Sequence, residues 1–89
     1  MKGCPSLIQS NLGSKGNNFE VIAASTTGTI EHYYRDNGDP NLPWISTGEF
    51  GQGVANPSLI QSNLGSKGNN LELVVPQSNG KIAHYTLMA

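Results

Sequence analysis

Apolar and polar residues alternate in short runs along this chain, and no run keeps the 3.6-residue apolar period of a helix. The run 6–11 is short and has the β-branched Ile8 at its centre, whereas the run 19–24 is almost continuously apolar. The runs 29–35 and 44–51 follow, and clusters of Gly, Asn, Ser and Pro separate all four. Such clusters are typical of turns between strands, so the pattern predicts four short β-strands over residues 5–56.

A long internal repeat organises the chain. The phrase PSLIQSNLGSKGNN occupies residues 5–18 and returns without change at 57–70. The same offset of 52 positions continues without a gap, so that 19 of the 30 residues in 5–34 are identical in 57–86. Repeats with one offset indicate two copies of one structural unit. We therefore predict a single repeat domain over 1–89, with a first repeat at 5–56 and a second, truncated repeat at 57–89.

The predicted fold class is all-β, with antiparallel four-stranded sheets arranged as β-propeller blades. Four short strands in roughly 50 residues is the size of one blade, and a sandwich or a trefoil is the competing all-β arrangement. The second repeat contains only three predicted strands, which makes about 1.7 blades per chain, whereas a propeller has about 4–8. We therefore expect several copies to complete a ring by oligomerisation. A fragment of a longer chain or an engineered sequence would also contain too few blades to close a propeller.

Composition and charge narrow the function classes. Charged residues are 12% of the chain, the formal net charge is −1, and the basic residues are scattered, so we predict no nucleic-acid partner. No apolar stretch approaches the roughly 20 residues of a membrane helix, and no signal peptide follows Met1, so we predict a soluble protein of unassigned location. The lone Cys4 cannot form an internal disulfide.

One eleven-residue stretch, residues 34–44, combines the groups that a sugar site needs. A sugar requires an aromatic face for its apolar C–H patch and a few fixed polar groups for its hydroxyls. Tyr34, Arg35, Asp36, Asn37 and Trp44 supply that mixture and are the predicted sugar-binding residues. The alternative is structural: Trp44 would anchor the core, and Arg35 with Asp36 would fix the turn.

The sequence predicts no metal, no cofactor and no enzymatic activity. His32 and His84 occupy the same point of the two repeats, and a buried, hydrogen-bonded histidine is expected there because nothing nearby completes a metal-binding set. The stretch 36–39 lacks the spaced oxygens of a calcium loop. No Ser-His-Asp set and no close pair of carboxylates emerges for hydrolysis.

The phrases PSLIQSNLGSKGNN, IEHYYRDNGDPNLPW and FGQG resemble the bacterial and fungal propeller lectins of the Photorhabdus fucose-lectin type. The resemblance covers residues 5–86 and implies seven blades in the full-length relatives, with fucose or O-methylated sugars bound between neighbouring blades. Tyr34 stands where these lectins usually have Trp, Thr86 stands there in the second repeat, and the second repeat lacks the segment from Arg-Asp-Asn to Pro-Trp. The resemblance therefore implies pockets that are complete only at some positions of a ring.

Together these features predict a carbohydrate-binding propeller lectin fragment that self-assembles into a multi-bladed ring and binds fucose-like sugars. The expected partners are other copies of the chain and carbohydrate. The alternative function is a structural scaffold whose only activity is oligomeric assembly.

Overall fold

The computed structural model describes residues 2–65 and 67–87. Residues 1, 66 and 88–89 of the predicted repeat domain therefore lie outside the described residues. None of the described residues is helical, which confirms the predicted all-β class. The seven strands are β1 (Lys2–Gln9), β2 (Phe19–Ala24), β3 (Ile30–Arg35), β4 (Ile45–Phe50), β5 (Ser58–Gln61), β6 (Leu71–Pro76) and β7 (Ile82–Leu87).

The strands form two antiparallel sheets in which each strand pairs with its neighbour in the chain. Sheet 1 has the order β1-β2-β3-β4, and sheet 2 has the order β5-β6-β7. Strand β1 starts at Lys2, before the predicted start at residue 6, and its pairing with β2 shifts between Lys2 and Ser6. Pro5 lies in this irregular part, where a residue without an N–H group is tolerated. The four strands and then three strands of the prediction are therefore present.

The repeated phrase builds the same loop twice. In residues 10–18, the backbone N–H of Ser10 donates to Asn18 O at 2.8 Å, that of Asn18 to Leu12 O at 3.1 Å, and that of Gly16 to Gly13 O at 3.2 Å. The equivalent bonds in residues 62–70 measure 2.8, 3.2 and 3.1 Å. Identical residues in the two copies thus satisfy the same backbone groups, as a turn-rich connection requires.

Strand register gives each sheet an inner and an outer face. Because paired residues of an antiparallel sheet share a face, the register defines these two sets in sheet 1. The inner face of sheet 1 carries Ser6, Ile8, Glu20, Ile22, Ala24, Ile30, His32 and Tyr34, and the outer face of sheet 1 carries Leu7, Gln9, Phe19, Val21, Ala23, Glu31, Tyr33 and Arg35.

The hydrophobic core lies between the two sheets. The inner face of sheet 1 contributes Ile22 and Ile30, and the inner face of sheet 2 covers them. The buried residues of that face are Leu59, Leu71, Leu73 and Val75, and it also carries Gln61, Ala83, Tyr85 and Leu87. Full burial of an aliphatic side chain of this size contributes about 1.5–3 kcal/mol, so this cluster is the main source of stability. The outer face of sheet 2 carries Ser58, Ile60, Glu72, Val74, Pro76, Ile82, His84 and Thr86.

Polar groups tie the sheets together at the border of this core. The backbone N–H of Asn11 donates to Gln61 Oε1 at 2.9 Å, and Gln61 Nε2 donates to Asn11 Oδ1 at 2.8 Å. The backbone N–H of Leu59 also donates to Ser6 Oγ at 3.3 Å. These bonds fix the lateral position of one sheet on the other, which apolar packing alone does not specify.

The two repeats differ sharply in exposure. Ile30, on the inner face of sheet 1, is 0% exposed, whereas the equivalent Ile82, on the outer face of sheet 2, is 74% exposed. The outer face of sheet 2 is thus the sequence counterpart of a surface that is buried in the first repeat. The described residues include no helix long and apolar enough to span a membrane.

Candidate functional site

A cleft of about 520 Å³ opens between the two sheets. The inner face of sheet 1 and the loops beside it form one wall, and the start of β6 and the end of β7 form the other. The lining residues are Leu12, Asn18, Glu20, His32, Tyr34 and Thr47 from the first repeat, and Leu71, Thr86 and Leu87 from the second. Most of the wall is apolar and a few polar groups converge on it, which is the usual character of a small-molecule site.

A hydrogen-bonded network lines the floor of the cleft. His32 Nε2 lies 2.8 Å from Glu20 Oε1, Ser10 Oγ donates to Glu20 Oε2 at 3.0 Å, and Thr47 Oγ1 lies 3.0 Å from His32 Nδ1. Ser10, Glu20 and His32 are all buried. Both ring nitrogens and both carboxylate oxygens are engaged, which confirms the predicted buried, hydrogen-bonded histidine at His32. For His84 the predicted burial is wrong, because its ring is 60% exposed on the outer face of sheet 2, where no described segment covers it.

Two polar atoms of the residues that line the cleft have no hydrogen-bond partner in the described part of the chain. The Tyr34 hydroxyl has no hydrogen-bond partner among the residues that the structure describes. Asn18 Oδ1 is buried and also lacks a partner in that part of the chain. A buried polar atom without a partner is uncommon, because desolvation without a compensating bond is unfavourable.

Arg35 lies between two aromatic rings on the opposite, outer face of sheet 1. Its guanidinium carbon is 4.8 Å from the centre of the Phe19 ring and 5.2 Å from the centre of the Trp44 ring. Arg35 pairs with Phe19 across β2 and β3, and Trp44 immediately precedes β4. Arg35 Nε donates to Asn37 Oδ1 at 2.8 Å, and Asn37 Nδ2 donates to Asn17 O at 2.7 Å. The arginine is therefore oriented before any ligand arrives.

Asp36 holds the loop after β3 in place. It accepts hydrogen bonds from the backbone N–H of Gly38 at 2.8 Å and from the Ser14 hydroxyl at 2.9 Å. These two bonds, in that order of importance, hold the pKa of Asp36 below its ordinary value of 3.8. The carboxylate thus joins the loop after β3 to the loop of the repeated phrase. It fixes the turn through Gly38 and Ser14, and not as the pair with Arg35 that the sequence suggested, because Arg35 bonds Asn37 instead.

The five predicted sugar-binding residues do not converge on one pocket. Arg35, Asn37 and Trp44 form one cluster at the outer face of sheet 1, whereas Tyr34 lines the cleft on the inner face. Successive residues of a strand point to opposite faces, so Tyr34 and Arg35 cannot share one surface of the same sheet. Trp44 is 49% exposed, so it is not enclosed as a core anchor.

Sequence reasoning missed Phe19 and Thr47. Phe19 was predictable in principle, because a simple hairpin register pairs it with Arg35. Thr47 was not, because the register of β3 with β4 shifts between His32 and Tyr33, and this bulge directs Thr47 towards His32. A one-residue irregularity of this kind has no clear signature in the sequence.

The second repeat reproduces only part of this chemistry. Ser62 Oγ donates to Glu72 Oε2 at 2.9 Å, and His84 Nε2 lies 2.9 Å from Glu72 Oε1, as in the first repeat. The Thr86 hydroxyl, at the position of Tyr34, donates to Glu72 Oε1 at 2.7 Å. At the positions of Phe19 and Arg35, however, the second repeat has leucines 71 and 87. The aromatic and arginine cluster therefore occurs once in the chain.

The described residues contain no group of three or more His, Cys, Asp or Glu side chains placed to hold a metal ion.

Comparisons with family models, with curated proteins and with solved structures found no significant match to this chain. The fold and the cleft therefore define the class directly: a small all-β protein of two packed antiparallel sheets, with a partly polar cleft between them.

Proposed function

We propose that this chain is a carbohydrate-binding protein that does not transform its ligand, and that its sheets are blades of a propeller lectin. The observation that carries the proposal is the half-exposed Trp44 ring beside the oriented guanidinium of Arg35. A sugar ring presents an apolar C–H face that packs on indole and hydroxyls that accept from a guanidinium. Trp44 supplies the aromatic ring and Arg35 supplies the donors, and the guanidinium carbon lies 5.2 Å from the centre of that ring.

Arg35 has donors to spare for a ligand. Its Nε is bound to Asn37, whereas its two terminal nitrogens have no hydrogen-bond partner among the described residues. Four N–H groups in a planar fork can donate to neighbouring hydroxyls. The resemblance to fucose-binding propeller lectins suggests fucose or an O-methylated sugar as the ligand, since a methyl group would add apolar contact with Trp44.

The proposal is for binding without chemistry. Ser10 donates to the carboxylate of Glu20 and does not contact the imidazole of His32. A serine nucleophile needs a hydrogen bond to its general base, so this order of contacts does not support nucleophilic catalysis. The blade arrangement is supported by the chain-order antiparallel sheets and by their face-to-face packing.

Trp44 is the single tryptophan of the chain, so its fluorescence reports directly on the proposed site. We expect a saturable change on titration with L-fucose or an O-methylated fucoside, and none with glucose at the same concentration. Arg35→Ala should weaken affinity by roughly 10- to 150-fold, because hydrogen bonds from a charged donor contribute roughly 1.5–3 kcal/mol. Lys81→Ala, at an exposed cation in the turn between β6 and β7, is the matched control and should bind as the wild type. An unchanged affinity for Arg35→Ala would refute this site.

A second candidate function is assembly itself, with the protein acting as a scaffold. The specific observation that favours it is the exposure of Ile60, Val74 and Ile82 on the outer face of sheet 2. Exposed apolar residues gathered on one face usually mark an interaction surface. Several copies would then complete the propeller ring that two sheets alone do not form.

A further inference from the structure

We propose that the outer face of sheet 2 binds the outer face of sheet 1 of a second copy, head to tail. This inference rests on the assembly function proposed above and specifies the two surfaces that meet. It does not depend on carbohydrate binding.

The packing within one chain is the precedent for the proposed contact. The outer face of sheet 2 is equivalent, at the offset of 52 residues, to the inner face of sheet 1. Ile60, Val74 and Ile82 correspond to Ile8, Ile22 and Ile30, which all pack in the core. Within the chain, the surface covering those residues is the inner face of sheet 2.

The covering surface has its own counterpart on the outer face of sheet 1. Leu7, Phe19, Val21 and Ala23 stand at the positions of Leu59, Leu71, Leu73 and Val75 and are all apolar. On the same face, Glu31, Tyr33 and Arg35 stand at the positions of Ala83, Tyr85 and Leu87. Leu7 is 57% exposed, Phe19 and Val21 are half-buried, and Ala23 is buried. The exposed apolar residues on the two outer faces therefore match residues that pack between the sheets within the chain.

The polar contacts between the sheets can also be repeated between chains. Asn11 and Gln61 exchange two hydrogen bonds across the sheets, and their counterparts Asn63 and Gln9 are identical in type and exposed. Ser6 accepts from the backbone of Leu59, and Ser58 is available to accept from Leu7 of the second copy in the same way. These pairs would specify register, because only one lateral position satisfies them all.

One pair of charges, Arg35 and Glu72, is complementary across the proposed contact. Leucines 71 and 87 lie on the cleft that Glu20 borders, and their counterparts in the first repeat are Phe19 and Arg35. Glu72 is in turn the counterpart of Glu20 in the second repeat. If the contact between chains repeats the packing within one chain, it brings Arg35 of the second copy towards Glu72. It would also place the cluster of Phe19, Arg35 and Trp44 opposite Glu72, His84 and Thr86, in a cleft built from two chains.

The contact uses different surfaces on the two partners. A head-to-tail contact of this kind leaves one complementary face open at each end, so further copies add until a ring closes. With two sheets per chain and about 4–8 blades per propeller, roughly two to four chains would close it.

Sedimentation under reducing conditions, which keep Cys4 from forming disulfides, tests the proposal. The wild-type particle should have a mass that is a multiple of 9.4 kDa. Leu7→Glu and Val74→Glu each place a charge on one of the two faces and should each give single chains with an unchanged β-type circular dichroism spectrum. Leu42→Glu is the control, since Leu42 is exposed, lies in the connection between β3 and β4, and belongs to neither face.

Mixing the two face variants is the decisive step. Leu7→Glu keeps an intact outer face on sheet 2, and Val74→Glu keeps one on sheet 1, so the mixture should form a particle of two chains. That recovery would also show that both variants are folded.

The other outcomes overturn the proposal in distinguishable ways. A folded wild-type chain that sediments alone would refute assembly altogether. A multimer that survives in Leu7→Glu, or that dissociates in Leu42→Glu, would leave assembly standing but refute these faces. Absence of a complex on mixing would do the same. The fucose titration of Trp44 in the Val74→Glu single chain, whose sheet 1 is unchanged, reports separately on carbohydrate binding.

Discussion

Glycine 13 shows at the scale of one residue why the repeated phrase tolerates so little change. Its φ of +86° is unfavourable for residues with a side chain, and a Cβ there would lie 1.8 Å from the position of Asn18 Oδ1. Gly65 repeats both features, with a φ of +91° and the Asn70 side chain in the way. The loop therefore requires glycine and asparagine together, which accounts for part of the identity between the two copies.

Gly13→Ala should destabilise the protein more than Gly28→Ala. Gly28 also has a positive φ, of +84°, but no atom lies within 4 Å of a Cβ built there. Gly28→Ala should therefore cost only the backbone term, about 1–2 kcal/mol, and Gly13→Ala should cost more because Asn18 must move as well. Urea unfolding of the two variants measures the difference, and equal losses would show that the Asn18 contact is not important.

The two sheets, at the scale of the elements, give identical residues different environments. The isoleucines at 30 and 82 begin equivalent strands, yet only the first is covered, because sheet 2 packs on sheet 1 and no described segment packs on the outer face of sheet 2. The same holds for the Glu-His pair, which is buried as Glu20 and His32 but includes a largely exposed ring at His84. Position in the stack therefore sets burial, and residue type does not.

Ile30→Ala should cost about 2–5 kcal/mol of unfolding free energy, since it leaves a cavity in the core. Ile82→Ala removes the same atoms from an exposed position and should change stability by only about 0.5 kcal/mol in the single chain. Urea unfolding at low protein concentration, where association contributes least, compares them. Equal losses would mean that Ile82 is covered in solution, in which case the sheet arrangement described above would be incomplete.

Acid sensitivity belongs to the whole molecule, because carboxylates in three separate places have lowered pKa values. The Thr29 hydroxyl, as the main cause, lowers the pKa of Glu49, and the Thr86 hydroxyl followed by the His84 ring lowers that of Glu72. The backbone of Gly38 does the same for Asp36. The folded chain thus binds fewer protons than the unfolded chain just below the ordinary values of 3.8 and 4.5.

Stability should therefore fall as the pH decreases through this range. The stabilisation from the three carboxylates is fully present above the ordinary values and is lost as the pH passes below the lowered ones. Urea midpoints measured from about pH 5 to about pH 3 should decrease, and Glu49→Gln should flatten the decrease because a neutral amide does not titrate. A midpoint that rises on acidification, or a slope identical in Glu49→Gln, would contradict this assignment.

The sequence by itself determined the secondary structure and the repeat. Local alternation, β-branched residues and glycine-rich turns are short-range signals, so they predicted an all-β chain with four strands and then three. They also led to the prediction of a sugar site in the stretch that carries Arg35, Asn37 and Trp44, since these residue types suit a sugar ligand irrespective of fold. Its division between two faces followed only once strand register was known.

Only the tertiary structure decided which faces are buried and where the cleft lies. Two repeats with the same phrase cannot encode different exposure locally, because burial depends on what packs against each sheet. The stacking of sheet 2 on the inner face of sheet 1 enclosed Ile22, Glu20 and His32, and left their counterparts Val74, Glu72 and His84 on an outer face. Packing between distant segments is a property of the folded chain, and no local pattern of residues specifies it.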